Sequence, residues 1–135
     1  VYDPTIAYGQ SKTANVLFAV EASRRWAADG ITVNAVHPGA ILETNLSRHM
    51  SKEALEQAVN RGGYTFKTTQ QGAATSVLVA TWPALDGVGG RYFEDCNEAL
   101  PNTPEIFGGV ARHALDPEAA ARLWQVSLDT LGGRA

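Results

Sequence analysis

Between Ala14 and Ala22 the chain is apolar almost all round a helix, broken only by Asn15 and Glu21. That core lies inside a helical stretch over residues 7–28. Asp3-Pro4 leads into it with a capping side chain and a first-turn proline. Asp29-Gly30 closes it, glycine suiting the left-handed position at a helix end. A helix apolar on more than one side is expected to bury against its own sheet and a second surface. The pattern then changes period. Residues 31–37 are short and β-branched and follow a helix directly, which predicts a buried parallel strand that Pro38-Gly39 stops. Residues 40–50 are polar and loop-like, 51–60 read as a short amphipathic helix, and Arg61-Gly62-Gly63 breaks it. This polar insertion reads as a lid or pocket wall, the alternative being plain surface, and its place after the Pro-Gly turn favours the lid. A second firm helix is predicted over 73–82, ended by Pro83. Gly89-Gly90-Arg91-Tyr92-Phe93 reads as a turn into a last strand, residues 97–109 as irregular, and 117–131 as a helix whose Leu123, Trp124, Leu128 and Leu131 form one core-packing stripe. Alternating helices and strands argue for a layered α/β sheet.

Composition narrows the function classes. A chain of 135 residues that is 44% hydrophobic is one domain or part of one. No apolar run approaches the ~18 residues of a membrane-spanning helix, and no charged-then-apolar signal segment opens the sequence. The net charge of −3, with Lys and Arg scattered, supplies no basic stripe for nucleic acid. The single cysteine, Cys96, excludes an internal disulfide and fits a reducing, cytoplasmic location. Because the chain begins with Val1 and a catalytic-looking motif follows within a few residues, it is expected to be cut from something longer.

The candidate chemistry sits in Tyr8-Gly9-Gln10-Ser11-Lys12. Residues four apart on a helix share a face, with Cβ atoms roughly 5–6 Å apart, so the Tyr8 hydroxyl and the Lys12 ammonium can point into one space. A neighbouring cation favours the phenolate, which turns a poor proton donor into a general acid/base. The competing reading is a tyrosine with a wet tip beside a snorkelling lysine. Other polar groups are weaker candidates. His37, His49 and His113 have no ligand spacing, so no metal is expected, and His37 reads as a hydrogen-bonded residue at a strand end. Glu94 and Asp95, adjacent on a strand, should face opposite ways, and Cys96 reads as a semi-buried small residue.

With these elements in place, the chain resembles the C-terminal half of a short-chain dehydrogenase/reductase. Four features carry the likeness: Tyr8-Gly9-Gln10-Ser11-Lys12 opening a long helix, Asn34-Ala35-Val36-His37-Pro38-Gly39 ending the next strand, Thr44 shortly beyond, and Gly89-Gly90-Arg91-Tyr92-Phe93 as a last strand. Gln71-Gly72-Ala73-Ala74, Tyr92-Phe93-Glu94-Asp95-Cys96 and Leu123-Trp124-Gln125-Val126-Ser127 are most like the branch holding retinol dehydrogenases and WW-domain oxidoreductases. The resemblance implies the C-terminal part of a Rossmann-type, doubly wound parallel sheet in three α/β/α layers. Residues 1–135 would be one portion of a single NAD(P)-binding domain whose first strands lie upstream.

The resemblance also implies function: hydride transfer between NAD or NADP and a small-molecule alcohol or carbonyl. Tyr8 would be the acid/base. Lys12 would hold the nicotinamide ribose and tune Tyr8. Pro38 and Gly39 would floor the nicotinamide ring, the Ile41 backbone would bond the carboxamide, and Thr44 would bond the carboxamide or phosphate region. As in many such proteins, the apolar middle of helix 7–28 is expected to offer a homodimer face. The family's glycine-rich phosphate loop has no counterpart here, since Gly87-Val88-Gly89 precedes a strand and Tyr92 stands where a third glycine would fall. The isolated chain is therefore expected to be inactive, with one strand edge open. The rival expectation is a non-catalytic cofactor-sensing or scaffold relative of the same fold.

Overall fold

The computed structural model describes residues 1–42, 44, 48, 51–60, 65–104 and 108–132. Asp3 starts α1 (Pro4–Trp26) by accepting from Thr5 N at 2.8 Å and Ile6 N at 3.0 Å, with Pro4 in the first turn where its missing N–H costs nothing. A single 3₁₀ turn (Ala27–Asp29) follows. Gly30, at φ +73, then sends the chain back along the helix, its N–H bonded to Ala27 O at 3.1 Å.

The returning segment has no regular structure over residues 31–34, and only Ala35–His37 forms β1. The predicted strand is thus shorter at its start, for a visible reason. Opposite residues 33–34 the neighbouring chain is the glycine turn 87–90, which carries no regular ladder. Gly90 N bonds Val33 O at 2.8 Å, while the Asn34 side chain takes Val88 O at 2.8 Å and Arg91 N at 3.0 Å in place of backbone partners. β1 pairs in parallel with β2 (Tyr92–Glu94), in the register Ala35–Tyr92, Val36–Phe93 and His37–Glu94.

Between these strands lie α2 (Lys52–Asn60) and α3 (Thr69–Thr81). Of the insertion read as a lid, residues 43, 45–47, 49–50 and 61–63 lie outside the described residues. α3 begins four residues before the predicted start, because Thr68 and Gln71 form a reciprocal capping box. After β2 the chain makes a two-residue hairpin turn at Asp95 (φ +50) and Cys96 (φ +59) into β3 (Asn97–Glu98), antiparallel to β2. The predicted irregular stretch therefore opens with a strand. No Asn-Gly or Asp-Gly pair announces the turn; two non-glycine residues hold left-handed geometry instead. In consequence Asp95 leaves the strand rather than alternating with Glu94 along it.

A 3₁₀ segment (Arg112–Leu115) leads into α4 (Pro117–Gly132). Val16, Val110 and Ala114 form the buried cluster, with Ala35, Tyr92, Ala99 and Leu115 packed against it. Burial and the nearby Glu94 charge push the Tyr92 hydroxyl up from its ordinary range. Val36 and Phe93 alternate to the opposite face of the sheet, and Phe93 is buried. α3 packs on β1 and β2 with Gly72 and Thr75 buried.

The second apolar side of α1 is met in part within the chain, with Phe18 still 48% exposed. Phe18 stacks on Trp124 of α4 with centroids 5.6 Å apart, and Trp26 meets both rings edge-on at 6.2 and 5.7 Å. The C-terminal stripe is only partly core: Leu123 and Trp124 are half-buried, while Leu128 and Leu131 are 48% and 69% exposed. The polar break in α1 is also resolved. Glu21 is buried and accepts from Arg24 Nε (2.9 Å), Arg24 Nη2 (2.6 Å) and Arg25 Nε (2.7 Å). Among the described residues no helix is long and apolar enough to cross a membrane, and no group of His, Cys, Asp or Glu could hold a metal.

Candidate active site

Tyr8 and Lys12 sit in the second and third turns of α1, both exposed. They share a face as their spacing requires, with Lys12 Nζ 5.4 Å from the centre of the Tyr8 ring. Ser11 folds back on the helix, its hydroxyl donating to Tyr8 O at 2.7 Å.

The direction of α1 relates this pair to the sheet. Near the helix end Ser23 lies against Gly89, which in turn lies against Val33. About one turn earlier, Val20 touches Gly90. A further turn back, Val16 packs with Ala35 and Tyr92. α1 therefore runs antiparallel to β1 and β2, so the carboxyl ends of the strands lie toward its N-terminal half. Lys12 and Tyr8 come one and two turns beyond Val16 in that direction. In open α/β sheets this is the end at which ligands bind.

The second set of candidates leaves the carboxyl end of β1 as a continuous segment. His37 Nδ1 accepts from Gly39 N at 3.1 Å, the strand-end hydrogen bond expected of it. Gly39 holds φ +88, a conformation that favours glycine. Ile41 packs its side chain where a Cβ on Gly72 would stand, and that added atom would also come within 3.4 Å of Pro38 O. α3 thus approaches the Pro38–Ile41 backbone as closely as a glycine permits. Thr44 donates its hydroxyl to Ile41 O at 3.3 Å.

One side chain here, Lys67, was not singled out by the sequence, and the carboxylates weighed there, Glu94 and Asp95, meet partners the sequence did not show. Lys67 precedes α3, donates its N–H to Ala40 O at 2.8 Å, and lays its side chain over Gly39. Its ammonium reaches Asp95 in the turn after β2. Glu94, beside it on β2, accepts from Gly109 N at 2.7 Å. Neither contact had a sequence signal, because each joins residues brought together only by the sheet.

No family model matches this sequence. Individual proteins do. The chain is 55% identical to a "probable oxidoreductase" of Streptomyces antibioticus, over 96% of this chain and 46% of that protein. It is 38% identical to a short-chain dehydrogenase/reductase of Penicillium roqueforti, over 96% of this chain and 39% of that protein. The chain fits the C-terminal part of a short-chain dehydrogenase/reductase. Likeness to the retinol dehydrogenases is also seen: identity to human retinol dehydrogenase 14 is 39%, over 93% of this chain and 35% of that protein. The chain spans less than half the length of the curated relatives it matches.

Proposed function

We propose that the chain carries the acid/base half of an NAD- or NADP-dependent oxidoreductase acting on an alcohol or carbonyl substrate. The observation that carries this reading is the Tyr8–Lys12 pair, aimed by α1 toward the same sheet end as Pro38 and Gly39. The relatives named as oxidoreductases support it. Residues 1–135 would then be the C-terminal portion of one Rossmann-type domain, its doubly wound sheet completed by upstream strands in three layers.

The residues present fit the nicotinamide end of such a cofactor. Tyr8 and Lys12 are accessible, and the Pro38–Gly39 turn and Thr44 follow β1 at its ligand-binding end. They do not supply the pyrophosphate end. The glycines at 89 and 90 are spent on close packing against Ser23 and Val20. Under this reading the phosphate-binding loop would come from residues outside this chain, and the isolated chain is expected to be inactive.

When bound, the nicotinamide donates or accepts the hydride. In the reducing direction Tyr8 gives its phenolic proton to the substrate oxygen as the carbon gains hydride; in the oxidising direction it takes the hydroxyl proton back. Lys12, whose Nζ lies over the Tyr8 ring, would supply positive charge to the tyrosine and hold the ribose hydroxyls. Pro38 and Gly39 support the ring, the Ile41 backbone bonds the carboxamide, and Thr44 fixes the carboxamide or phosphate side.

Tyr8→Phe in the full-length protein tests the reading. Turnover with NAD or NADP should fall by about 10²-fold or more, the scale of a lost general acid. Cofactor affinity should stay within about twofold, since the ring remains. Near-normal turnover would remove Tyr8 from the chemistry and leave the non-catalytic relative as the better reading.

A further inference from the structure

We infer that Lys67 is a positioning residue for the Pro38–Gly39 floor, strapping it across to Asp95; this rests on the nicotinamide reading above. Three contacts define the strap. The Lys67 N–H donates to Ala40 O at 2.8 Å, next to the parallel bridge between Ala40 and Phe66. Its stem lies on Gly39: a Cβ there would stand 2.7 Å from Lys67 Cδ, 2.9 Å from Cε and 3.1 Å from Nζ. Its ammonium pairs with the Asp95 carboxylate.

Each anchor belongs to a different element. Lys67 is joined through the Thr68 cap to α3, Gly39 continues β1, and Asp95 follows Glu94, the register partner of His37. The lysine therefore spans the carboxyl ends of both parallel strands and holds the intervening backbone down from above. Asp95 is presented to it by a left-handed residue, so the pair depends on the unusual hairpin turn. The Lys67 side chain is only 19% exposed while that of Asp95 is 71% exposed, which makes the stem contact the permanent part and the ion pair the adjustable one.

This division gives distinct variants. Lys67→Met keeps a stem over Gly39 and removes the charge, Asp95→Asn removes the charge from the other end, and Lys67→Arg restores it. Hydrogen exchange in the full-length protein reads the strap without reference to activity. Amides at 39–41 should exchange about three- to fivefold faster in Lys67→Met and Asp95→Asn, the range set by a partly exposed ion pair, with α1 unchanged. The nicotinamide cofactor KM should rise by a similar factor of about three to five with kcat little altered, and Lys67→Arg should recover both. Unchanged exchange in both variants overturns the strap. Faster exchange with an unchanged cofactor KM overturns the positioning role while leaving the Tyr8 chemistry standing. If Tyr8→Phe retains turnover while the exchange result holds, the failure lies in the nicotinamide reading and not in the strap.

Discussion

Asn34 and Arg91 are joined through the Asn34 side chain, whose Oδ1 accepts the Arg91 N–H at 3.0 Å while its Nδ2 donates to Val88 O at 2.8 Å. One amide side chain thus substitutes for a rung of sheet at the point where the glycine turn interrupts the ladder. Asn34→Ala removes both bonds and should cost about 1–3 kcal/mol of unfolding free energy. Asn34→Asp keeps the acceptor but not the donor and should cost less. Urea unfolding of the two variants in the full-length protein ranks them; equal stability of Asn34→Ala and wild type would mean that the turn holds without this side chain.

Glu21 should make stability acid-sensitive. The Arg24 hydrogen bonds hold its carboxyl below the ordinary value of 4.5 against the opposing effect of burial, with Arg25 adding to them. A carboxyl lowered in the folded state contributes stability that is complete above the unfolded value and is lost as pH falls through the folded one. Glu21→Gln should destabilise at neutral pH by about 1.5–3 kcal/mol, the range for hydrogen bonds to a charged group. The gap to wild type should begin to narrow below about pH 4.5, where the unfolded chain takes up its proton first, and should close only below the lowered folded-state value. Thermal unfolding at pH 7 and pH 3.5 checks both; a pH-independent gap would remove the linkage.

Cys96 occupies left-handed backbone without the freedom of glycine. Its N–H donates to the buried Thr75 hydroxyl at 3.1 Å, which pins the hairpin turn to α3. Cys96→Gly keeps that backbone bond and relieves the conformation, so it should stabilise the protein by up to about 1 kcal/mol. Thr75→Val removes the acceptor and should cost about 1–3 kcal/mol. Denaturant midpoints moving in opposite directions would bear this out; a loss in both would assign the turn's stability to the sulfur instead.

Gly39→Ala combines left-handed strain with collision against the Lys67 stem. It should lower stability by about 1–2 kcal/mol and raise the cofactor KM together. Ala substituted at Gly9, around which nothing lies within 4 Å, should do neither and serves as the control for a helix of the same chain. Parallel unfolding and kinetic measurements on the two variants separate a site effect from a general one.

The sequence revealed the features that act locally. Asp3-Pro4 and Asp29-Gly30 bracket α1 because capping and left-handed closure are properties of the residues themselves. Tyr8 and Lys12 share a face through helix geometry alone. The capping box of Thr68 and Gln71 was also legible, and reading it would have placed the start of α3. What escaped depended on distant partners. Lys67 had no visible relation to Gly39 or Asp95 until the sheet brought them together, whereas Glu21 meets Arg24 and Arg25 at the three- and four-residue spacing of one helix face, a relation the sequence did offer. The hairpin at Asp95-Cys96 escaped because its residue types argue against the geometry they adopt.

The lengths of α1 and of the strands beneath it differ greatly. Twenty-three helical residues span about 35 Å, whereas three strand residues cover about 10 Å. Tyr8 lies eight residues from Val16, about 12 Å along the axis from the buried cluster that clamps the helix. The helix therefore behaves as a pointer pivoted at Val16. A tilt of roughly 5° there would sweep Tyr8 through about 1 Å by that lever arm, and under the proposed chemistry an error of that size can cost about a hundredfold in rate. Under that chemistry the aim of the tyrosine rests on small side chains such as Ala114, packed in one cluster with Val16 and carrying no chemistry of their own.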